Sequence, residues 1–280
     1  MFSPALEVLY AQPAVLAPPD VSFDGFLRRF PGLAEAEAVC LTGSIAAGWG
    51  NTFSDIDLYA FADTDIDLPV DETMEMWPGK DPALGLSWNR WIGAYGDNRV
   101  DLKVWPTATL AVVLDRYLAT EVEFAATSAN FQDFIYRLSV GVPLKNPDFF
   151  ARMKELLDRS SYRRALARAS KTEAENALTD VAGQLHSGDA RTARVSATLA
   201  AWKMADSSLA FHGEVCRGQK WLLRRLERTP ECGITADEYQ SVVLDGARPG
   251  ESNADCARRI ARWTQAHLVR LEDQILSNPR

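Results

Sequence analysis

Residues 41 to 58, Leu-Thr-Gly-Ser-Ile-Ala-Ala-Gly-Trp-Gly-Asn-Thr-Phe-Ser-Asp-Ile-Asp-Leu, hold the residue types best suited to chemistry. Asp55 and Asp57 stand at i and i+2 of a stretch that reads as extended, so they share one face while Ile56 and Leu58 point into the core. Two carboxylates about 6.5 Å apart along a strand repel each other. A strand that keeps such a pair offsets the repulsion with a cation, and an all-oxygen site suits Mg²⁺. Ten residues separate Asp55 from Gly43-Ser44, which follows the short apolar run Ala38 to Leu41 after Thr42. That turn is a candidate phosphate cradle, because glycine allows close approach and successive backbone N–H groups bind anions.

The elements that must position these groups follow from periodicity. Ser22 is placed to N-cap a short amphipathic helix carrying Phe23, Phe26, Leu27 and Phe30, ended by Pro31-Gly32. Residues 1 to 20 are Pro-rich and read equally as an ordered arm or a frayed end. Residues 63 to 83, acidic and broken by Pro69, Pro78 and Pro82, read as a loop. Within it Asp63-Thr64-Asp65-Ile66-Asp67 repeats the Asp-Ile-Asp spelling with no Gly-Ser turn before it, and is expected to be a solvated acidic segment. Strands are expected over Leu86 to Tyr95 and Arg99 to Trp105, joined by a turn at Gly96-Asp97-Asn98. In the second of these, Asp101 and Lys103 share the face opposite Val100, Leu102 and Val104.

Beyond Pro106 the period becomes helical. Helices are expected over Thr107 to Thr127, after Asn130, and at about 149 to 186, 190 to 211, 218 to 228 and 252 to 276, with no convincing strand after Asp148. The chain therefore reads as α+β: a small mixed sheet flanked by helices over residues 1 to 145, then an all-α helical bundle over 146 to 280.

Gly43-Ser44, ten residues, Asp55-Ile56-Asp57, and then Val100-Asp101-Leu102 on a later strand: this order resembles the signature of the DNA polymerase beta-type nucleotidyltransferase superfamily, over about residues 38 to 105. The resemblance implies a nucleotidyltransferase fold in the first half. It implies two Mg²⁺ ions held by Asp55, Asp57 and Asp101, with Asp101 also accepting the proton of an acceptor hydroxyl. Gly43 and Ser44 would hold the β- and γ-phosphates of ATP or another NTP. The reaction implied moves a nucleoside monophosphate, most fittingly AMP, onto a small-molecule hydroxyl with release of pyrophosphate. That chemistry suits two-metal catalysis, in which paired ions polarise the attacking and leaving oxygens.

A second segment, Leu209 to Leu222, resembles the helical domain of small-molecule nucleotidyltransferases, antibiotic-modifying ones included, in which an Asn-Gly turn precedes a Lys-Trp helix start. His212 stands in the Asn place here. The resemblance implies that Lys220 reaches the triphosphate as a point charge; by residue type alone it is as well read as an exposed lysine beside a core tryptophan. Glu214 is either an acceptor-side base or a surface-loop glutamate, the latter being the usual place for this residue type. Trp77, Trp88, Trp91 and Tyr95 are expected mainly as core packing, with stacking on a base or acceptor as the alternative. His186 and His267 lack metal-ligand spacing and receive no role.

Composition bounds the partners. Residues 1 to 149 hold 9 Lys/Arg against 21 Asp/Glu, a net of −12, and the remainder holds 21 against 17, a net of +4. So acidic a first half disfavours a long polyphosphate partner, and nucleic acid is not expected. Template-independent transfer to RNA ends is the enzymatic alternative, and a non-catalytic nucleotide-binding or toxin-system partner of the same fold is a third. No apolar run of about 18 residues occurs and no basic start precedes an apolar segment, so neither a membrane span nor a secretory leader is expected. Cys40, Cys216, Cys232 and Cys256 are widely spaced and read as reduced thiols of a cytoplasmic protein.

Overall fold

The computed structural model describes residues 21 to 277 apart from Thr52, 69–73, Ala83, Asp97 and Arg217. The expected arm over residues 1 to 20, together with Pro69, Asp97 of the hairpin turn and Arg217, lies outside the described residues. The described chain forms two compact units. The first runs to Tyr117 and resumes over Thr127–Arg159; the second comprises Leu118–Ala126 and the chain from Ser160 onward. The helix that follows residue 145 therefore belongs with the first unit rather than opening the second.

The first unit is built on a mixed sheet in the order β3-β4-β5-β2-β1-β6. Its strands are β1 (Ala38–Thr42), β2 (Ile56–Phe61), β3 (Glu75–Asp81), β4 (Leu86–Tyr95), β5 (Asn98–Trp105) and β6 (Val142–Lys145). Only β2 and β5 run parallel, Asp57 lying opposite Asp101; the other four pairings are antiparallel. β1 and most of β2 are buried on both faces, which is why they read as near-continuous apolar runs. One face packs Val39, Leu41, Ile56, Leu58, Val100 and Leu102 against Phe26, Phe30 and Leu33. Phe26 belongs to α1 (Phe23–Arg29), whose N-cap Ser22 Oγ accepts from Gly25 N. The opposite face carries an aromatic cluster in which Phe134 stacks on Tyr59 at 5.7 Å and meets Trp105 at 4.4 Å. The helices of this unit are α1, the single turn α2 (Gly43–Ala46), α3 (Thr107–Leu118), α5 (Ala129–Ser139) and α6 (Pro147–Arg159).

Two edge strands fall where no strand was expected. β3 occupies part of the 63–83 stretch and pairs with β4 through Pro78 and Gly79. An edge strand tolerates proline because one side of it has no ladder to satisfy. Gly79 is needed there: a Cβ would come within 2.2 Å of the Trp88 ring. β6 likewise carries Pro143 at the other edge, pinned by Lys145 Nζ donating to the carbonyls of Ala34 and Ala36. The Asp63–Asp67 segment is irregular as expected, although Ile66 between its acids is buried.

The second unit is helical: α4 (Glu121–Ala125), α7 (Tyr162–His186), α8 (Ala190–Phe211), α9 (Leu222–Arg228), α10 (Ala236–Tyr239) and α11 (Asn253–Ser277). Its core is rich in small side chains, with Ala174, Ala193, Ala197, Ala201 and Ala205 fully buried, so α7 and α8 can approach closely. Two expected helices are interrupted. The one over 107 to 127 restarts at Thr120, whose Oγ1 accepts from Glu123 N as an N-cap. The one over 149 to 186 breaks at Ser160-Ser161. No described helix is long and apolar enough to cross a membrane.

Candidate functional site

The end of β1 delivers the Gly43-Ser44 turn onto the first residues of β2. Thr42 pairs with Asp57, and the chain then turns at Gly43 with φ +70, a left-handed conformation that side chains rarely adopt. A Cβ on Gly43 would lie 2.0 Å from Asp57 Oδ2. The glycine is thus what lets the turn press directly against a carboxylate. Asp101 stands beside Asp57 on the next strand, and in-register parallel neighbours put their side chains on the same face. Three of the expected site elements (the turn, Asp57 and Asp101) are brought together.

Asp55 is not part of that cluster in the same way. It precedes β2 rather than belonging to it, is half-exposed, and lies 3.7 Å from Arg99 Nη1.

Arginines answer the carboxylates. Asp101 is chelated by Arg90, whose Nε donates to Oδ1 at 2.9 Å and whose Nη2 donates to Oδ2 at 2.6 Å. Asp57 Oδ1 is 2.7 Å from Arg137 Nη1, and Arg137 Nε donates to Asp133 Oδ2 at 2.8 Å. Thr42 Oγ1 donates to the Arg137 carbonyl at 2.6 Å, fixing the end of α5 over the β1 terminus. Burial pushes the Asp57 carboxyl up, with Arg137 opposing it and the neighbouring Asp101 reinforcing it. The same burial, with Arg137 nearby, pushes the Lys103 ammonium down. Lys103 Nζ sits 5.6 Å from the centre of the Tyr59 ring. The face is therefore a compact network of alternating charge, with Tyr59 Oη buried and lacking a hydrogen-bond partner among the described residues.

Arg90 and Arg137 are not marked by the sequence, and Lys103 is marked only as sharing the strand face of Asp101. The signal available was indirect: two acids on neighbouring strands demand cations, and Arg90 and Lys103 occupy facing positions of β4 and β5. Arg137 lies in the last turn of α5, far in sequence from Asp57, and carries no local mark of its role.

As arranged, these residues do not fit a two-ion site. Both oxygens of Asp101 are engaged by one guanidinium, Asp57 is held by another, and among the described residues no three His, Cys, Asp or Glu side chains gather to hold a metal.

The remaining candidates belong to the second unit or to packing. Lys220 is exposed in a short 3₁₀ turn, with its Nζ 5.1 Å from the Trp221 ring centre. Glu214 is not a surface-loop glutamate. Its side chain is 12% exposed, with Oε1 accepting from Cys216 N and lying 3.6 Å from the buried Arg225. His212 forms the end of α8, its Nδ1 2.9 Å from the Ser208 carbonyl. Trp91 lies in the core, Trp88 stacks on Trp105 at 4.6 Å and Tyr95 meets Phe26 at 4.8 Å, so three of the four aromatics pack; Trp77, on the edge strand, is exposed.

No family model matches the chain, and no curated protein matches it. Among solved structures it is similar to a nucleotidyltransferase-like protein from Exiguobacterium sibiricum 255-15, at 14% identity and a TM-score of 0.47, over 91% of this chain and 75% of that one.

Proposed function

We propose that the first unit is a nucleotidyl-transfer centre of the DNA polymerase beta type, moving AMP from ATP onto a hydroxyl of a small molecule and releasing pyrophosphate. The observation that carries this reading is the juxtaposition at Gly43: the turn after β1 presses on Asp57, and Asp57 lies in register with Asp101. In this reading the Gly43-Ser44 backbone holds phosphate oxygens, and Arg137 and Lys103 add positive charge where the triphosphate would be neutralised. Asp101 takes the proton of the acceptor hydroxyl once Arg90 releases it. The Lys220 ammonium and the acceptor site are assigned to the helical unit, and antibiotic modification or a biosynthetic tailoring step would both use this chemistry. Magnesium, expected from the carboxylates, would enter only by displacing Arg90 and Arg137, and no step is assigned to it.

The guanidiniums also favour a second reading, a nucleotide-binding module without turnover, since carboxylates held by arginine do not need a metal. One experiment separates the two. ATP binding by calorimetry is measured beside mass spectrometry of an acceptor panel with each of four NTPs and Mg²⁺, using the wild type and Asp57→Asn. The transfer reading expects product in the wild type and a loss of about 100-fold or more in the variant, as for removal of an electrostatic stabiliser. ATP binding without product in the wild type would establish the second reading; absence of both would discard the site.

A further inference from the structure

The second unit carries a hollow of about 600 Å³, lined by its own residues, none of which has been given a role in the transfer chemistry. That volume is in the range of small-molecule sites. We propose that it binds a small aromatic anion, a flat apolar body bearing one carboxylate or comparable acidic group. The proposal stands independently of the nucleotidyl-transfer reading.

The apolar wall comes from one face of α8. Val195, Leu199 and Trp202 follow at helical spacing, and Val195 and Leu199 are 69% and 42% exposed. Large aliphatic side chains left open on successive turns beside a tryptophan make a surface that gains by being covered. Lys203 Nζ sits 4.7 Å from the Trp202 ring centre and pairs with Glu173, so it orders the ring without lining the hollow.

The polar end is cationic and has no carboxylate of its own. Arg191 and Arg194 line the hollow one turn apart, and the remaining polar lining is two amides and a hydroxyl. Arg194 is held in place: its Nη1 donates to Asn253 Oδ1 at 3.3 Å. Its Nη2 also reaches close to Gly246, where a Cβ would come within 3.0 Å and φ is +80. Arg191 is exposed and has no ion-pair partner among the described residues. A planar guanidinium fixed by an amide, with a second one beside it, suits bidentate capture of an oxyanion such as a carboxylate or sulfonate. The aromatic body then lies along Leu199 and Trp202.

Two fluorescent probes test this: 1-anilinonaphthalene-8-sulfonate, and N-phenyl-1-naphthylamine, which has the same rings without the charge. The full chain is expected to bind the sulfonate saturably, one to one, and the uncharged analogue at least about tenfold more weakly, a difference of about 1.4 kcal/mol. Arg194→Gln and Arg191→Gln should each weaken the sulfonate by about tenfold, and Leu199→Asp should abolish both probes. Helical circular dichroism and the thermal midpoint confirm folding; Arg191, being exposed, keeps the test available if Arg194→Gln destabilises the unit. Equal affinity for the two probes, or sulfonate binding unchanged in both arginine variants, overturns the proposal. So does a fall in particle mass in Leu199→Asp, which would make the face a contact between two copies of the chain.

Discussion

In the second unit Arg225 Nη1 meets Asp206 Oδ1 at 2.6 Å with the arginine side chain 1% exposed; in the first, Arg90 Nη2 meets Asp101 Oδ2 at the same distance with the arginine 38% exposed. The distances are alike and the surroundings are not. Arg225 is sealed among α8, α9 and the Glu214 carboxylate, so nothing from solvent can replace its partner. Arg90 is open to solvent on one side, so another anion or water can reach its guanidinium. The first geometry serves to hold a fold, and the second is suited to a site that must open.

Mutation can break this contrast. The largest effect is expected for Arg225→Met, which removes the buried cation facing the Asp206 carboxylate and should cost about 3–5 kcal/mol in chemical denaturation of the second unit. A loss below about 1 kcal/mol would erase the distinction between sealed and open pairs. Next comes Gly43→Ala, which places a methyl on the Asp57 carboxyl and forces an unfavourable φ. We expect a loss of about 1–3 kcal/mol, with displacement of Asp57 visible in a crystal structure of the variant. Arg90→Gln should cost about 1 kcal/mol or less, because its guanidinium is open to solvent and water can take its place beside Asp101; a cost matching that of Arg225→Met would show that the two pairs do the same job.

The smallest and most conditional effect is one of pH. Arg259 and the Arg248 N–H hold the Glu251 carboxyl down at about 2, below its ordinary 4.5. A depressed carboxyl contributes stability above pH 4.5 and loses it as pH falls toward 2. Glu251→Gln should therefore flatten the second unit's acid sensitivity across that window, as read from denaturation curves at stepped pH. Asp57 in the first unit runs the other way: burial raises its carboxyl, so its ionised form burdens the fold rather than supporting it.

What was legible in the sequence divides along the same line. Local features were readable: the Ser22 cap, the helical seams, the β4–β5 hairpin, and the apolar β1 and β2 that a double-sided core requires. Elements whose identity depends on a distant neighbour were not. β3 and β6 carry prolines that argue against strands, and only their edge positions make those tolerable. The site shows the same limit. Residue type and spacing pointed to Gly43, Ser44, Asp55 and Asp57, and the family resemblance to Asp101, whereas the side chains that face Asp101 and Asp57, Arg90 and Arg137, come from other elements and are identified only by the fold.

The parallel pairing of β2 with β5 has a consequence in time. β4 and β5 meet across a short turn and can zip together early, as hairpins do within microseconds. Asp57 and Asp101 become neighbours only after the whole β3–β4 excursion has been closed, and a longer loop pays more chain entropy before its contacts return anything. The strand register that defines the site is therefore among the last things the first unit acquires as it folds. A refolding experiment that follows quenching near Trp88 and Trp105 alongside ATP binding should see the fluorescence settle before the binding appears.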